Sequence, residues 1–366
     1  MRKFLIILSI VLSGNLYSQS KFMPSKTGGM TKSVRGIALV TEISISNQII
    51  ADHSVVALYS TIPANWIDSV KQMWMSYPGE SHAIGVLYGL AILETANATY
   101  AVDTKDYQEA GNPDAYTDAN LRASTAMYGD YENASGWIYV IGEEDWWTSA
   151  TATNRVKAGL SYINTNGPAL SAIGFGWCWD ATRDTASLGT DPVTGNHWYG
   201  RSIGSASADP WYTNGFPWGI DDADNAASGN TVNMDDYLMA TQSYIDYCAT
   251  NSIPTKVFFT TGPVDTESGA QGVEALYQGY LKFEHIRNYV NADATRILFD
   301  YADILCYDDN GTPTTTSWNG NTFPAITATN GTVNTAYHIS QAGTVRLAKA
   351  MWWMLARMAG WDGLAE

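Results

Sequence analysis

Basic residues are scarce in this chain. It has 20 Lys and Arg against 36 Asp and Glu in 366 residues, a formal charge of −16 with histidine neutral. So acidic a body repels phosphate backbones, which argues against nucleic acid as a partner. Cysteine is rarer still. Cys178, Cys248 and Cys306 are too few for a disulfide framework, and their spacing suits no zinc site. Cys178 and Cys306 sit in apolar runs and read as buried free thiols. Long apolar runs are also missing. The closing helical segment, 339–361, is too short and too charged at Arg357 for a bilayer, so no membrane span is expected. Only five histidines are present: His53, His82, His197, His285 and His338. That short roster narrows the search for a general base.

Aromatics, by contrast, are plentiful, with 14 Trp and 22 Tyr. Some must pack the core. Flat rings also offer sugars an apolar face, so carbohydrate is the expected partner class. The start of the chain is basic at Met1-Arg2-Lys3, apolar from Phe4 to Leu12, then small and polar to Ser20. This pattern predicts a signal peptide over residues 1–18, and hence a secreted or periplasmic protein. Residues 19–50, with Gly28-Gly29, read as a polar lead-in, and 51–366 as a single α/β domain.

Within that domain four continuous apolar runs predict buried parallel strands: Gly136–Ile141, Leu170–Trp177, Lys256–Thr261 and Ile297–Tyr307. Helical periodicity falls at Ser81–Thr95, Asp235–Thr250, Ser268–Val290 and Ile339–Trp361. Their alternation predicts a mainly parallel sheet with helices on both faces. A Gly/Ser/Asp/Thr-rich stretch at about 180–231 reads as a long loop insertion.

Ligands in such sheets bind beyond the carboxyl ends of strands. Tyr77-Pro78-Gly79-Glu80-Ser81-His82 places Ser81 at a helix start after a short strand. Unpaired N–H groups there favour a developing negative charge, as a serine nucleophile requires. On local sequence alone, an N-cap is the simpler reading of Ser81. His338 precedes the last helix at a loop end and is the histidine best placed to serve as base. His285 lies inside a helical pattern and reads as structural or exposed.

A set of segments then accumulates: Asp52-His53, Ile62-Pro63, Trp66-Ile67, Gly79-Glu80-Ser81-His82, Thr261-Gly262-Pro263 and 297–304. The closing run is His338, Gly343, 348–357 and 360–363. Through them the chain resembles the SGNH (GDSL-like) hydrolases, and more narrowly a bacterial secreted SGNH-like group, over about residues 51–363. The resemblance implies a three-layer α/β/α sandwich with Ser81 as nucleophile and His338 as base. It also implies an oxyanion hole at Gly176 (or Gly174) and Gly262; Trp177, Trp179 and Asp180, at a strand end facing that site, and His82 are expected to bind substrate. No cofactor and no metal are implied. The chain departs from the family at two points. Val264 stands where an asparagine donor is expected, and Asn225, Asn230 and Asn334 are possible replacements. Thr335 stands where an orienting aspartate is expected, leaving Asp303 and Asp265, and also Asp300, as possible acids.

The expected function is therefore a secreted serine esterase that removes acyl groups from a carbohydrate. The alternatives are a polysaccharide-cleaving lyase or glycosidase on the same fold, or a glycan-binding protein with weakened catalysis. Glu143-Glu144-Asp145 reads as a solvated loop before an acid/base pair. The acidic loops at 221–225 and 308–311 read as turns before calcium sites.

Overall fold

A computed structural model describes residues 48–364, apart from 80, 107–118, 130–133, 140–144, 149, 168, 178–188, 191–196, 199–218, 222–232, 265–271 and 332–337. The expected signal peptide, nearly all of the lead-in and most of the 180–231 insertion lie outside the described residues. No helix among the described residues is long and apolar enough to cross a membrane.

The fold is α/β, and its main sheets are parallel. The strands of these parallel sheets are β1 (Ile50–Ala51), β2 (Trp74–Ser76), β3 (Val102–Lys105), β4 (Leu121–Ser124) and β5 (Ala172–Ile173). They continue with β6 (Lys256–Val257), β7 (Phe259–Thr260) and β8 (Leu298–Phe299). One sheet runs β6-β5-β2-β4-β3 and the other β1-β8-β7. Only Phe258 separates β6 from β7. Its N–H donates to the Ile173 carbonyl at 3.0 Å, whereas the next N–H, of Phe259, donates to Ile297 at 2.8 Å. Segment 256–260 thus bonds to a neighbour on each side and joins both sheets into one parallel order, β1-β8-(β7/β6)-β5-β2-β4-β3.

Successive side chains on a strand point to opposite faces, and the core divides accordingly. Ala51, Met75, Ala172, Phe258 and Phe299 join one cluster with residues of α1 (Ala64–Lys71), α2 (Ser81–Ala96) and α7 (Gln341–Ala359). Trp74, Ile173, Val257, Phe259 and Leu298 join another with residues of α3 (Ala150–Asn166), α4 (Met234–Thr250) and α5 (Gly272–Asn291). Helices therefore cover both faces. Helix α2 is apolar on nearly every side because it packs against both the sheet and α7. The two helices touch at Gly89, where an added Cβ would fall 2.0 Å from the Thr344 carbonyl oxygen.

Two sequence expectations need correction. Trp137–Tyr139, inside the run 136–141, forms an antiparallel pair with Ala126–Tyr128 outside the parallel sheet. The run 297–307 is not one strand. After β8, the Asp300 carboxylate accepts the Asp303 N–H at 3.2 Å and caps a short helix, α6 (Tyr301–Cys306). The four expected helices all form, with ends shifted by a few residues. Cys306 is a buried free thiol, as expected, and Cys248 is another; Cys178 lies outside the described residues.

Buried phenols make the fold alkali-sensitive. The Tyr237 hydroxyl accepts the Thr260 N–H at 2.7 Å and lies fully inside the core. Burial pushes its pKa up to about 12 from an ordinary 10.0. Burial raises Tyr77 and Tyr244 as well. Below the unfolded value both states keep the proton, and stability is unaffected. Above it the unfolded chain ionises first, so stability falls from about pH 10 to about pH 12. Tyrosinate absorbance and loss of far-ultraviolet circular dichroism are expected to rise together across that window. A tyrosinate signal complete before the fold is lost would contradict this burial.

Candidate functional site

The carboxyl ends of the strands gather the chemistry-bearing residues. From β2 the chain runs through Tyr77, Pro78 and Gly79 to Ser81, the half-buried first residue of α2. Small residues make this approach possible. A Cβ on Gly79 would meet the Gly176 carbonyl oxygen at 2.7 Å, and one on Gly176 would meet the Ala83 side chain at 2.8 Å. The start of α2 is thereby pressed onto the strand ends.

His338 arrives from the far end of the sequence. Its φ of 73° is left-handed, a conformation that costs a non-glycine residue about 1–3 kcal/mol. The following residues hold it there. Ile339 is buried, the Ser340 N–H donates to Asn330 at 2.8 Å, and the Ser340 hydroxyl donates to Thr329 at 2.6 Å. Ser340 also caps α7 by accepting the Gly343 N–H at 3.0 Å. Asn330 in turn donates to the Leu305 carbonyl at 2.9 Å. So fixed, the His338 ring stacks on His82 with centroids 4.9 Å apart and planes 26° apart. Tyr301 presents its ring to His82 edge-on at 6.2 Å. His338 is thus packed against the residue next to Ser81.

Other expected site residues are placed differently. The Gly176 N–H donates to Pro78 at 2.8 Å and the Gly174 N–H to Ser76 at 3.2 Å, continuing the β2–β5 ladder. Both donors are spent, so the expected oxyanion role of Gly176 is corrected. Trp177 is also corrected, from substrate side to core. It is buried, its indole N–H donates to Thr260 at 3.1 Å, and Trp147 and Tyr237 pack on it. His82 is buried and meets His338. Gly262 is buried at the carboxyl end of β7. Trp179, Asp180, Asp265 and Thr335, with Asn225, Asn230 and Asn334, lie outside the described residues.

Asp303 serves a different histidine from the one expected. One oxygen accepts both the His53 N–H at 2.8 Å and the His53 ring Nδ1 at 2.5 Å. Burial and the neighbouring Asp300 raise the Asp303 pKa, and these His53 bonds pull it back. The His53 ring also stacks on Tyr307, centroids 3.4 Å apart and planes 1° apart. With Nδ1 donating, the lone pair of His53 is on Nε2, the arrangement of an oriented general base. Asp52, His53 and Asp303 offer ligand atoms within 4.8 Å of one another. Two ligands of one tetrahedral ion would, however, lie about 3.4 Å apart, so the 2.5 Å contact is a hydrogen bond between dyad partners. The sequence marks Asp52-His53 as a segment but does not reveal this dyad, because its acid stands 250 residues away on α6.

Asp300 sits centrally and buried. It accepts from Thr261 Oγ1 at 2.8 Å and from Arg287 at 2.6 and 2.7 Å. In the loop 308–311, Asp308 accepts the N–H groups of Asn310 and Thr312, each at 2.8 Å, while Asp309 pairs with Arg346. His285 binds Asp235 at 2.6 Å, a structural use. No protein-family model matches the chain, and no curated protein matches it.

Proposed function

We propose that this chain is an exported hydrolase with a three-layer α/β/α fold of SGNH type, an esterase that removes acyl groups from a carbohydrate. The observation that carries the reading is the stack of His338 on His82, with His338 held in a left-handed conformation. It sets the only histidine of the last loop beside the first turn of α2, where Ser81 starts the helix. Strained non-glycine residues cluster at active sites, which gives the geometry functional weight.

In this reading the His338 imidazole takes the Ser81 hydroxyl proton as Oγ bonds to the acyl carbon. The carbonyl electron pair moves to oxygen, where first-turn N–H groups of α2 stabilise it. Collapse breaks the bond to the sugar oxygen, which takes the proton from His338. Water then repeats the sequence and frees the acid. Gly176 gives no donor, and Val264 carries no side-chain hydrogen-bonding group. Turnover is accordingly expected to fall below that of a complete oxyanion hole, by about 10²–10³ for each missing donor.

The test is covalent labelling with a fluorophosphonate. Ser81 is expected to carry the adduct, Ser81→Ala to lose it, and His338→Ala to slow it at least about a hundredfold. Labelling of a different serine, or of Ser81 at an unchanged rate in His338→Ala, would overturn the assignment.

A further inference from the structure

Two cavities adjoin along α7. One holds about 550 Å³ and is lined by Asn310, Thr327, Thr329, Asn330 and Gln341 among others. The second holds about 330 Å³ and includes His53 and Ser54. Asp308, Asp309, Arg346 and Lys349 border both, so together they form one trough. Each volume falls within the ~300–1,000 Å³ range of ligand pockets. One end of the trough lies at Gln341, three residues after His338. There Asn330, a wall residue, accepts the Ser340 N–H at 2.8 Å. The other end is His53, the histidine of the dyad.

Charge decides what such a trough accepts. Asp308 and Asp309 stand against Arg346 and Lys349, so the lining itself is balanced, and the chain's net charge of −16 disfavours an anionic ligand. Arg346 is already engaged with Asp309 and the Ile304 carbonyl. The Lys349 ammonium lies over the Tyr59 ring, 5.0 Å from its centroid, with no ion pair among the described residues. The remaining wall sets uncharged donors and acceptors such as Asn310, Thr329 and Gln341 beside apolar side chains such as Ile92, Val345 and Val56, with His53 at one end. Such a mixture matches the hydroxyl edges and C–H faces of a sugar ring.

We propose that the trough is the binding cleft for an uncharged oligosaccharide chain. The chain lies along α7 and spans both cavities, from the Gln341 end next to His338 to the His53–Asp303 dyad. A sugar hydroxyl donates to His53 Nε2, and Lys349 donates to ring or hydroxyl oxygens near the middle. Tyr307 supports the His53 ring from behind and is not itself the stacking platform. The proposal takes from the hydrolase reading only that the ligand is a carbohydrate. It moves glycan contact from the expected tryptophans to α7.

The experiment is calorimetric titration of the full chain with xylotetraose, with tetragalacturonate as the acidic probe. Binding of the neutral probe at least about tenfold tighter than the acidic one is expected. His53→Ala and Gln341→Ala, at opposite ends, are each expected to weaken xylotetraose binding about tenfold, and Asp303→Asn to act like His53→Ala. Gln341 is exposed, so its variant guards against a misfolded His53 variant. Ser81→Ala is expected to bind normally. Loss of binding in Ser81→Ala, preference for the acidic probe, no binding of either probe, or a silent Gln341→Ala would each overturn the cleft. Fluorophosphonate labelling can succeed or fail independently of every one of these outcomes.

Discussion

Gly89→Ala is expected to destabilise the protein by about 3 kcal/mol, although alanine is the better helix former by about 1 kcal/mol. The sign is the informative part. Gly89 lies in the interior of α2, where helix propensity alone predicts a gain. The new methyl group would stand 2.0 Å from the Thr344 carbonyl oxygen and 2.5 Å from its carbon. Both are backbone atoms of α7, so no side chain can rotate away. Relief requires the helices to separate along their crossing, which opens gaps among Leu87, Leu90, Leu347 and Met351. Close-packed interiors tolerate such gaps poorly. Denaturant unfolding of the variant beside the parent measures the effect. A midpoint equal to or above the parent's would mean that α2 and α7 do not cross at this glycine.

Arg287→Leu is expected to cost about 3–5 kcal/mol, because it leaves the Asp300 carboxylate buried without its cation. The Asp300 side chain is 5% exposed, whereas that of Arg287 keeps 18%, so the acid is the costlier partner to strand. Replacing both, as Arg287→Leu with Asp300→Leu, removes the buried charge together with its partner. The double variant is expected to be more stable than Arg287→Leu alone. It still forfeits the α6 cap and the Thr261 bond. A double-mutant cycle by urea unfolding reads this directly, and additive single and double effects would show that the pair is uncoupled. Loss of the cap also loosens Asp303, so the His53 dyad is expected to weaken with it.

Long elements were legible in the sequence because their period repeats. The helices at 81–96, 234–250, 272–291 and 341–359 each offered several turns of apolar spacing. Short elements were not. Strands β3 and β4 carry Asp103, Lys105, Arg122 and Ser124, and β4 is buried throughout despite its arginine and serine. Their polar residues broke the apolar pattern that marks a central strand. The run 297–307 misled in the opposite way. It is apolar enough for a long strand, yet the capping carboxylate of Asp300 turns it into a helix after two residues. At the site, Ser81 and His338 stood out because each opens a helix. The His53–Asp303 dyad did not, since no local spacing reveals a bond between a turn after β1 and a helix 250 residues later. The burial of Trp177 was equally hidden, because a tryptophan after a strand serves a core and a binding surface alike.

The pairing of β1 with β8 has a consequence for the order of events during synthesis. The first described strand of the sheet leaves the ribosome while β8, its neighbour among the described residues, is still untranslated, and Asp303, which fastens His53, follows even later. Until then residues 50–53 lack the ladder to β8 and the bonds to Asp303, and that edge of the described sheet is incomplete. Contacts this distant in sequence slow folding. The nascent chain must therefore stay incomplete until almost its whole length has emerged, and the interval in which that edge can pair with a stranger is as long as translation itself.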